Sequence, residues 1–238
     1  MAKHVVFDVV GTLVSFDAYI ARIAATIGPQ LESHCITPAH FAFTWMTAAE
    51  LEFTFLSTSG RYKPYREVMQ ALFYRTLFMA GIKQPREIFT DTQREACLAG
   101  YAELTLRSGA RECIELLREQ GFTVWCLTTG DVARVRGYFE RGGWEFPLEQ
   151  FVSCDGLGVA KPALGAYRAV YDRFADGDEK WFAAAHLWDV SAARMVGFRG
   201  AYCTEYEQEG VWEVFGKVEV VADSLVEMAR KIIKDNSI

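Results

Sequence analysis

The sequence contains no C-x-x-C pair and no cysteine with histidine neighbours at zinc spacing, so nothing in it signals a structural metal site. Cys35, Cys97, Cys113, Cys126, Cys154 and Cys203 are scattered, several of them inside apolar runs, and read as reduced core or surface thiols. Neither sign of charge dominates: 25 basic and 31 acidic residues are well mixed along 238 residues, giving a formal charge of -6. That balance argues against a nucleic-acid surface and offers no polybasic patch to a membrane. No apolar run approaches the length of a membrane span, and the chain enters a strand without a leader-like stretch. A cytoplasmic protein is therefore expected, with a small molecule as its partner and a homodimer left open. Internal repeats and low-complexity segments are also missing.

What is present is apolar residues, 51% of the chain, enough for one substantial core and a smaller appended unit. The continuous, β-branched run from His4 to Val10 reads as a strand buried on both faces. Similar short runs recur at Phe122 to Leu127, Trp181 to Ala185, Gly200 to Cys203 and Val218 to Val221. Amphipathic stretches at Ala110 to Glu119, Val132 to Gly142 and Leu164 to Phe174 separate the later ones, as parallel crossovers require. The expected fold is α/β, a doubly wound parallel sheet. Between Ser15 and about Leu106 the sequence shows no strand, only helical patterns at Ala18 to Ile27, Pro38 to Leu56, Pro64 to Ala80 and Thr92 to Leu104. Residues 1–14 and 107–238 are thus expected to form a Rossmann-like core, and residues 15–106 an inserted helical cap above the end of the first strand.

Asp8 stands where that first strand gives way to a Gly-containing turn, and ligand chemistry in open α/β sheets gathers at the carboxyl ends of strands. A carboxylate buried there must be paired or must serve catalysis. Gly156-x-Gly158 ahead of Lys161 has some look of a phosphate loop, but lacks a third glycine and a G-K-S/T ending, so a turn is the better account.

Four dispersed segments carry a resemblance: Asp8-Val9-Val10-Gly11-Thr12, Leu127-Thr128-Thr129-Gly130-Asp131, Gly158-Val159-Ala160-Lys161-Pro162 with Tyr167 beyond it, and Ala184-Ala185-His186-Leu187-Trp188-Asp189. In order and placement they resemble the haloacid dehalogenase superfamily, more narrowly its 2-haloacid dehalogenase branch in a fungal-type variant. The resemblance implies that Asp8 is a nucleophile forming an ester that water then cleaves. Thr12 and Thr128 would supply hydroxyl donors, Lys161 a cation, and Asp189 would align Lys161 or a water. Val10, Thr47, Thr129, Tyr167, His186 and Trp188 would face substrate, with His186 a candidate base. Each has a plainer alternative: a surface lysine for Lys161, the N-cap of a helix beginning at about Val190 for Asp189, a hydrogen-bonded structural histidine for His186, a packing residue for Tyr167.

The chain also departs from the family. Phosphatase members place an aspartate general acid where this chain has Val10, and a further acid for magnesium where it has Ala185, so neither phosphoryl transfer nor a metal or other cofactor is expected. Dehalogenases carry a cap arginine where alignment on Leu51-Glu52-Phe53 puts Thr47, with Arg61 and Arg66 further along. They also have Ser-Asn at Thr128-Thr129, and hydroxyl and amide groups at Ala184 and His186. Losing a cation that receives a leaving anion costs about 2–4 kcal/mol of transition-state stabilisation. Phe41, Phe43, Trp45, Phe53, Phe55, Tyr62, Tyr65, Phe73, Tyr74 and Phe78 are expected mostly as cap core, some facing ligand. The leading expectation is a hydrolase acting on a small organic acid through Asp8. The alternative is a cyclase or isomerase of fungal natural-product biosynthesis, such as a norbornene-forming Diels-Alder catalyst, working by orientation on an apolar substrate.

Overall fold

The structure, a computed structural model, describes residues 1–235. The first strand, β1 (Lys3–Phe7), buries Val5, Val6 and Phe7 completely. It stops at Phe7 rather than running to Val10. Gly11 takes φ +91°, and the Gly11 N–H to Val14 carbonyl (2.9 Å) and Val14 N–H to Val9 carbonyl (3.0 Å) bonds fold the chain back. Asp8 is therefore the first residue beyond the strand. The short β2 (Val14–Ser15) follows, and the chain then leaves the sheet.

The inserted unit comprises α1 (Asp17–Glu32), α2 (Pro38–Thr58), α3 (Tyr65–Met79), the single turn α4 (Pro85–Ile88) and α5 (Asp91–Ala102). Thr37 caps α2 ahead of Pro38 at its first position, and Thr90 with Gln93 forms a capping box on α5. The first helix outruns its expected end at Ile27 and passes through Pro29, because Leu31, one turn on from Ile27, is wholly buried and holds the extra turn in place. Most of the cap aromatics pack on one another: Trp45 lies between Phe41 and Phe73, and Phe53 meets Tyr62 and Tyr65. Phe43, Phe55 and Phe78 remain exposed.

After β3 (Thr105–Leu106), which pairs with β2, come α6 (Ala110–Glu119), β4 (Phe122–Thr128), α7 (Val132–Arg141), β5 (Phe151–Ser153), α8 (Cys154–Leu157) and α9 (Leu164–Tyr171). Then follow β6 (Glu179–Ala184), α10 (Leu187–Arg194), β7 (Arg199–Cys203), α11 (Trp212–Phe215), β8 (Val220–Ala222) and α12 (Leu225–Asp235). The sequence reading had no β5, whose three residues are too short to show a period. Gly158, at φ +66°, ends α8, so the glycine pair is a helix stop.

The main sheet is parallel, in the order β5-β4-β1-β6-β7-β8. Connections run outward in both directions from β1, which makes its carboxyl end the topological switch point where ligands bind in such folds. Phe7 stands opposite Cys126 on one side and Ala183 on the other, and the Asp8 N–H continues the ladder to the Ala183 carbonyl at 3.0 Å. By contact density the chain forms two compact units: one runs from Met1 to Ser15 and resumes at Leu106, the other is Phe16–Thr105. Among the described residues no helix is long and apolar enough to cross a membrane.

Candidate active site

Asp8 is 5% exposed, and both its carboxylate oxygens are held. Lys161 Nζ donates to Oδ1 at 2.7 Å, and the Thr12 hydroxyl donates to Oδ2, also at 2.7 Å. Thr12 Oγ1 in turn accepts the Ala185 N–H at 2.8 Å, which leaves its single proton for Asp8. The turn after β1 and the end of β6 thus meet at one hydroxyl.

Lys161 is 3% exposed, which removes the surface-lysine alternative. It follows α8 and a short turn and is joined to Pro162 by a cis peptide bond. Its ammonium bridges two carboxylates, reaching Asp189 Oδ2 at 2.6 Å as well as Asp8. Burial by itself would pull the lysine pKa down, but the charges and hydrogen bonds of Asp189 and Asp8 outweigh it and hold the value above the ordinary one. The cation therefore persists through the neutral range.

Asp189 is fully buried, and its other oxygen, Oδ1, accepts the Tyr167 hydroxyl at 2.5 Å. Burial raises its carboxyl above the usual range against the pull of Lys161, and the nearby Asp8 charge adds to the rise. Tyr167 packs against Phe182 with its ring, as the packing alternative has it, while donating its hydroxyl to Asp189. Its phenol is pushed well up, first by burial and then by the Asp189 charge, and stays a donor. Asp189 is not an N-cap: α10 begins at Leu187, His186 occupies the cap position, and Asp189 lies in the first turn. The first helical N–H, that of Leu187, is satisfied instead by Glu207 Oε2 at 3.0 Å.

Other expected site residues are placed differently. Thr128, at the end of β4, is buried, but its Oγ1 accepts the Gly130 N–H at 3.1 Å, and among the described residues no hydrogen bond joins it to Asp8. His186 turns Nδ1 toward Glu207 Oε1 at 3.3 Å, stacks beside Trp188 and meets Tyr206 edge-on, a hydrogen-bonded position at the helix start. Val10 and Thr129 are half-buried in the turns after β1 and β4, Trp188 is half-buried in α10, and Thr47 lies in α2 of the inserted unit. Arg66 of that unit pairs with Glu95 at 3.4 Å and Arg61 is exposed.

Sequence reasoning missed three contributors. The Ala185 N–H acts through the backbone, so its alanine side chain carries no signal. Ser153 donates to the Gly130 carbonyl at 2.8 Å and accepts the Asp155 N–H at 3.1 Å, pinning the turn after β4. Glu207 collects Leu187, His186 and the Tyr202 hydroxyl (2.9 Å) from a loop without a recognisable motif.

The donor set does not suit the magnesium used by phosphatase members of the fold. Such an ion takes six oxygen ligands in a near-octahedral shell. Here Val10 and Ala185 offer no side-chain oxygen, and the two carboxylates already share one ammonium between them. Among the described residues no cluster of three or more acidic, cysteine or histidine side chains forms a metal site.

A family model described as haloacid dehalogenase-like hydrolase matches residues 2–197. The (S)-2-haloacid dehalogenase 1 of Pseudomonas sp. (strain CBS-3) is 25% identical over 195 residues, covering 81% of this chain and 80% of that protein. The solved structure of L-2-haloacid dehalogenase from Xanthobacter autotrophicus matches with a TM-score of 0.76 at 19% identity over 98% of both chains. The same enzyme with chloropropionic acid covalently bound matches at 0.74 and 18%, again over 98% of both. These structural likenesses establish the α/β fold. Neither the fungal-type variety nor the cyclase alternative draws support from them.

Proposed function

Because the chain belongs to the haloacid dehalogenase-like hydrolase family, we propose that it hydrolyses a small organic acid through an ester on Asp8, without a metal ion. The observation that supports this reading is the double tether of the Asp8 carboxylate, Oδ1 on Lys161 and Oδ2 on Thr12, at the switch point of the sheet. A carboxylate so held has few orientations to lose on reaching the transition state. In the first step an Asp8 oxygen attacks the substrate carbon, the carbon–halogen bond breaks, and the halide leaves with the electron pair. In the second, water adds to the Asp8 ester carbonyl, the Asp8 carbonyl carbon parts from the substrate oxygen, and a hydroxy acid leaves with Asp8 regenerated. In this reading Asp189 takes one proton of that water while the other ends on the departing hydroxyl, and Lys161 offsets charge building on the ester oxygen. Thr128 keeps a hydroxyl hydrogen for a substrate oxygen.

The test is a single turnover of L-2-chloropropionate in heavy-oxygen water with enzyme in excess. Label should enter the Asp8 peptide while the lactate formed carries none, and Asp8→Asn should stop chloride release. Labelled lactate beside an unlabelled Asp8 peptide would mean direct attack by water and would sink the ester route.

A further inference from the structure

We propose that Arg107 is a positioning residue for this chemistry, the clamp that fixes the Gly11–Leu13 turn and, through Thr12, the Asp8 carboxylate; the inference rests on the reading of Asp8 above. Three consecutive carbonyls of that turn accept hydrogen bonds from this one residue. Its Nη2 donates to Gly11 O at 2.9 Å, its Nε to Thr12 O at 3.2 Å, and its backbone N–H to Leu13 O at 2.8 Å. The remaining guanidinium nitrogen, Nη1, lies 3.4 Å from Glu205 Oε1, and the side chain is only 14% exposed.

The turn needs such a partner. It folds back through the Gly11–Val14 and Val14–Val9 bonds, which use no carbonyl of residues 11 to 13, and carbonyls of residues so buried need a partner. A guanidinium fork suits adjacent carbonyls because its donors lie in one plane at fixed spacing, whereas a lysine offers a single point. Arg107 also follows β3 directly, one residue after the chain rejoins the sheet unit at Leu106. Thr12 has no slack of its own, since its hydroxyl is fixed between Asp8 at 2.7 Å and the Ala185 N–H at 2.8 Å. A shift of the turn is therefore passed directly to the Asp8 carboxylate, and a misplacement of about 1 Å can cost about a hundredfold in rate.

The experiment uses the full chain and two variants, Arg107→Met and Arg107→Lys, with two readouts. Amide hydrogen exchange should quicken about tenfold at Gly11, Val14 and Ala185 in Arg107→Met, and by less in Arg107→Lys. With L-2-chloropropionate as the probe, kcat should fall about ten- to a hundredfold in Arg107→Met while KM stays within about twofold, and Arg107→Lys should recover part of the loss. Unchanged exchange at those three amides overturns the clamp whether or not the probe is turned over. An active parent whose Arg107→Met variant keeps its kcat overturns the positioning role. If the parent releases no chloride yet the amides loosen, the clamp stands and the hydrolase reading fails. Should Arg107→Met not fold, Arg107→Lys decides by the same readouts.

Discussion

Lys161 and Asp8, separated by 153 positions in the chain, meet at 2.7 Å inside the sheet unit, with both side chains buried. Asp189 shares the same ammonium at 2.6 Å, so one cation neutralises part of two buried anions. Removing the lysine should therefore harm stability as well as catalysis. We expect Lys161→Met to cost about 3–5 kcal/mol, because two carboxylates are left buried without a counter-charge. Urea unfolding measures it. Adding Asp8→Asn to that variant should restore a good part of the loss, and a double variant as unstable as the single one would contradict the pairing.

Thr12 is the second tether and links two strands' ends. Thr12→Val removes both the donor to Asp8 and the acceptor of the Ala185 N–H, and should destabilise by about 2 kcal/mol while impairing turnover. Thr12→Ser keeps the hydroxyl and should stay within about 1 kcal/mol of the parent. Equal losses in the two variants would assign the effect to packing rather than to the hydroxyl.

His4, near the start of β1, governs part of the acid response. Trp125 Nε1–H donates to its Nδ1 at 3.3 Å, Phe174 stacks on it at 4.0 Å, and Asp178 lies 3.4 Å from Nε2. Burial, the largest influence, lowers its pKa below 6.5 despite the bond to Asp178. The unfolded chain therefore binds more protons between that lowered value and 6.5, so stability rises with pH across this window and is complete above it. Urea midpoints on either side of the window should differ in the parent and differ less in His4→Gln. An unchanged slope would remove His4 from the account.

Thiol reactivity should report the burial pattern. Cys35 is exposed while the other five cysteines are buried. Burial pushes Cys97 up to about 12 and Cys154 and Cys203 up to about 11, which keeps these thiols protonated and unreactive. An aromatic disulfide reagent should titrate one thiol rapidly in the folded protein and all six after unfolding in guanidinium. Rapid reaction of more than one would mean that the core opens locally.

The sequence by itself determined the alternation of apolar strands with amphipathic helices, the long helical interval, and the positions of Asp8, Lys161 and Asp189 at chain segments that follow strands or turns. These are legible because burial imposes a period on neighbouring residues, and because a carboxylate or ammonium at the edge of an apolar run stands out. The three residues of β5 and the extra turn of α1 escaped, the first being too short for a period and the second masked by Pro29. Only the tertiary structure decided which group holds which. The sheet order places β4 and β6 on either side of β1, and the end of β6 then supplies the Ala185 N–H to Thr12, while Thr128 on β4 turns to Gly130 instead of Asp8. His186 is left at a helix start beside Glu207, and the separate pairing of β2 with β3 brings Arg107 onto the carbonyls of a turn 94 to 96 positions earlier in the chain. Hydrogen bonds are short and directional, so a backbone N–H or a guanidinium acquires its role from three-dimensional placement, which no local pattern of residues encodes.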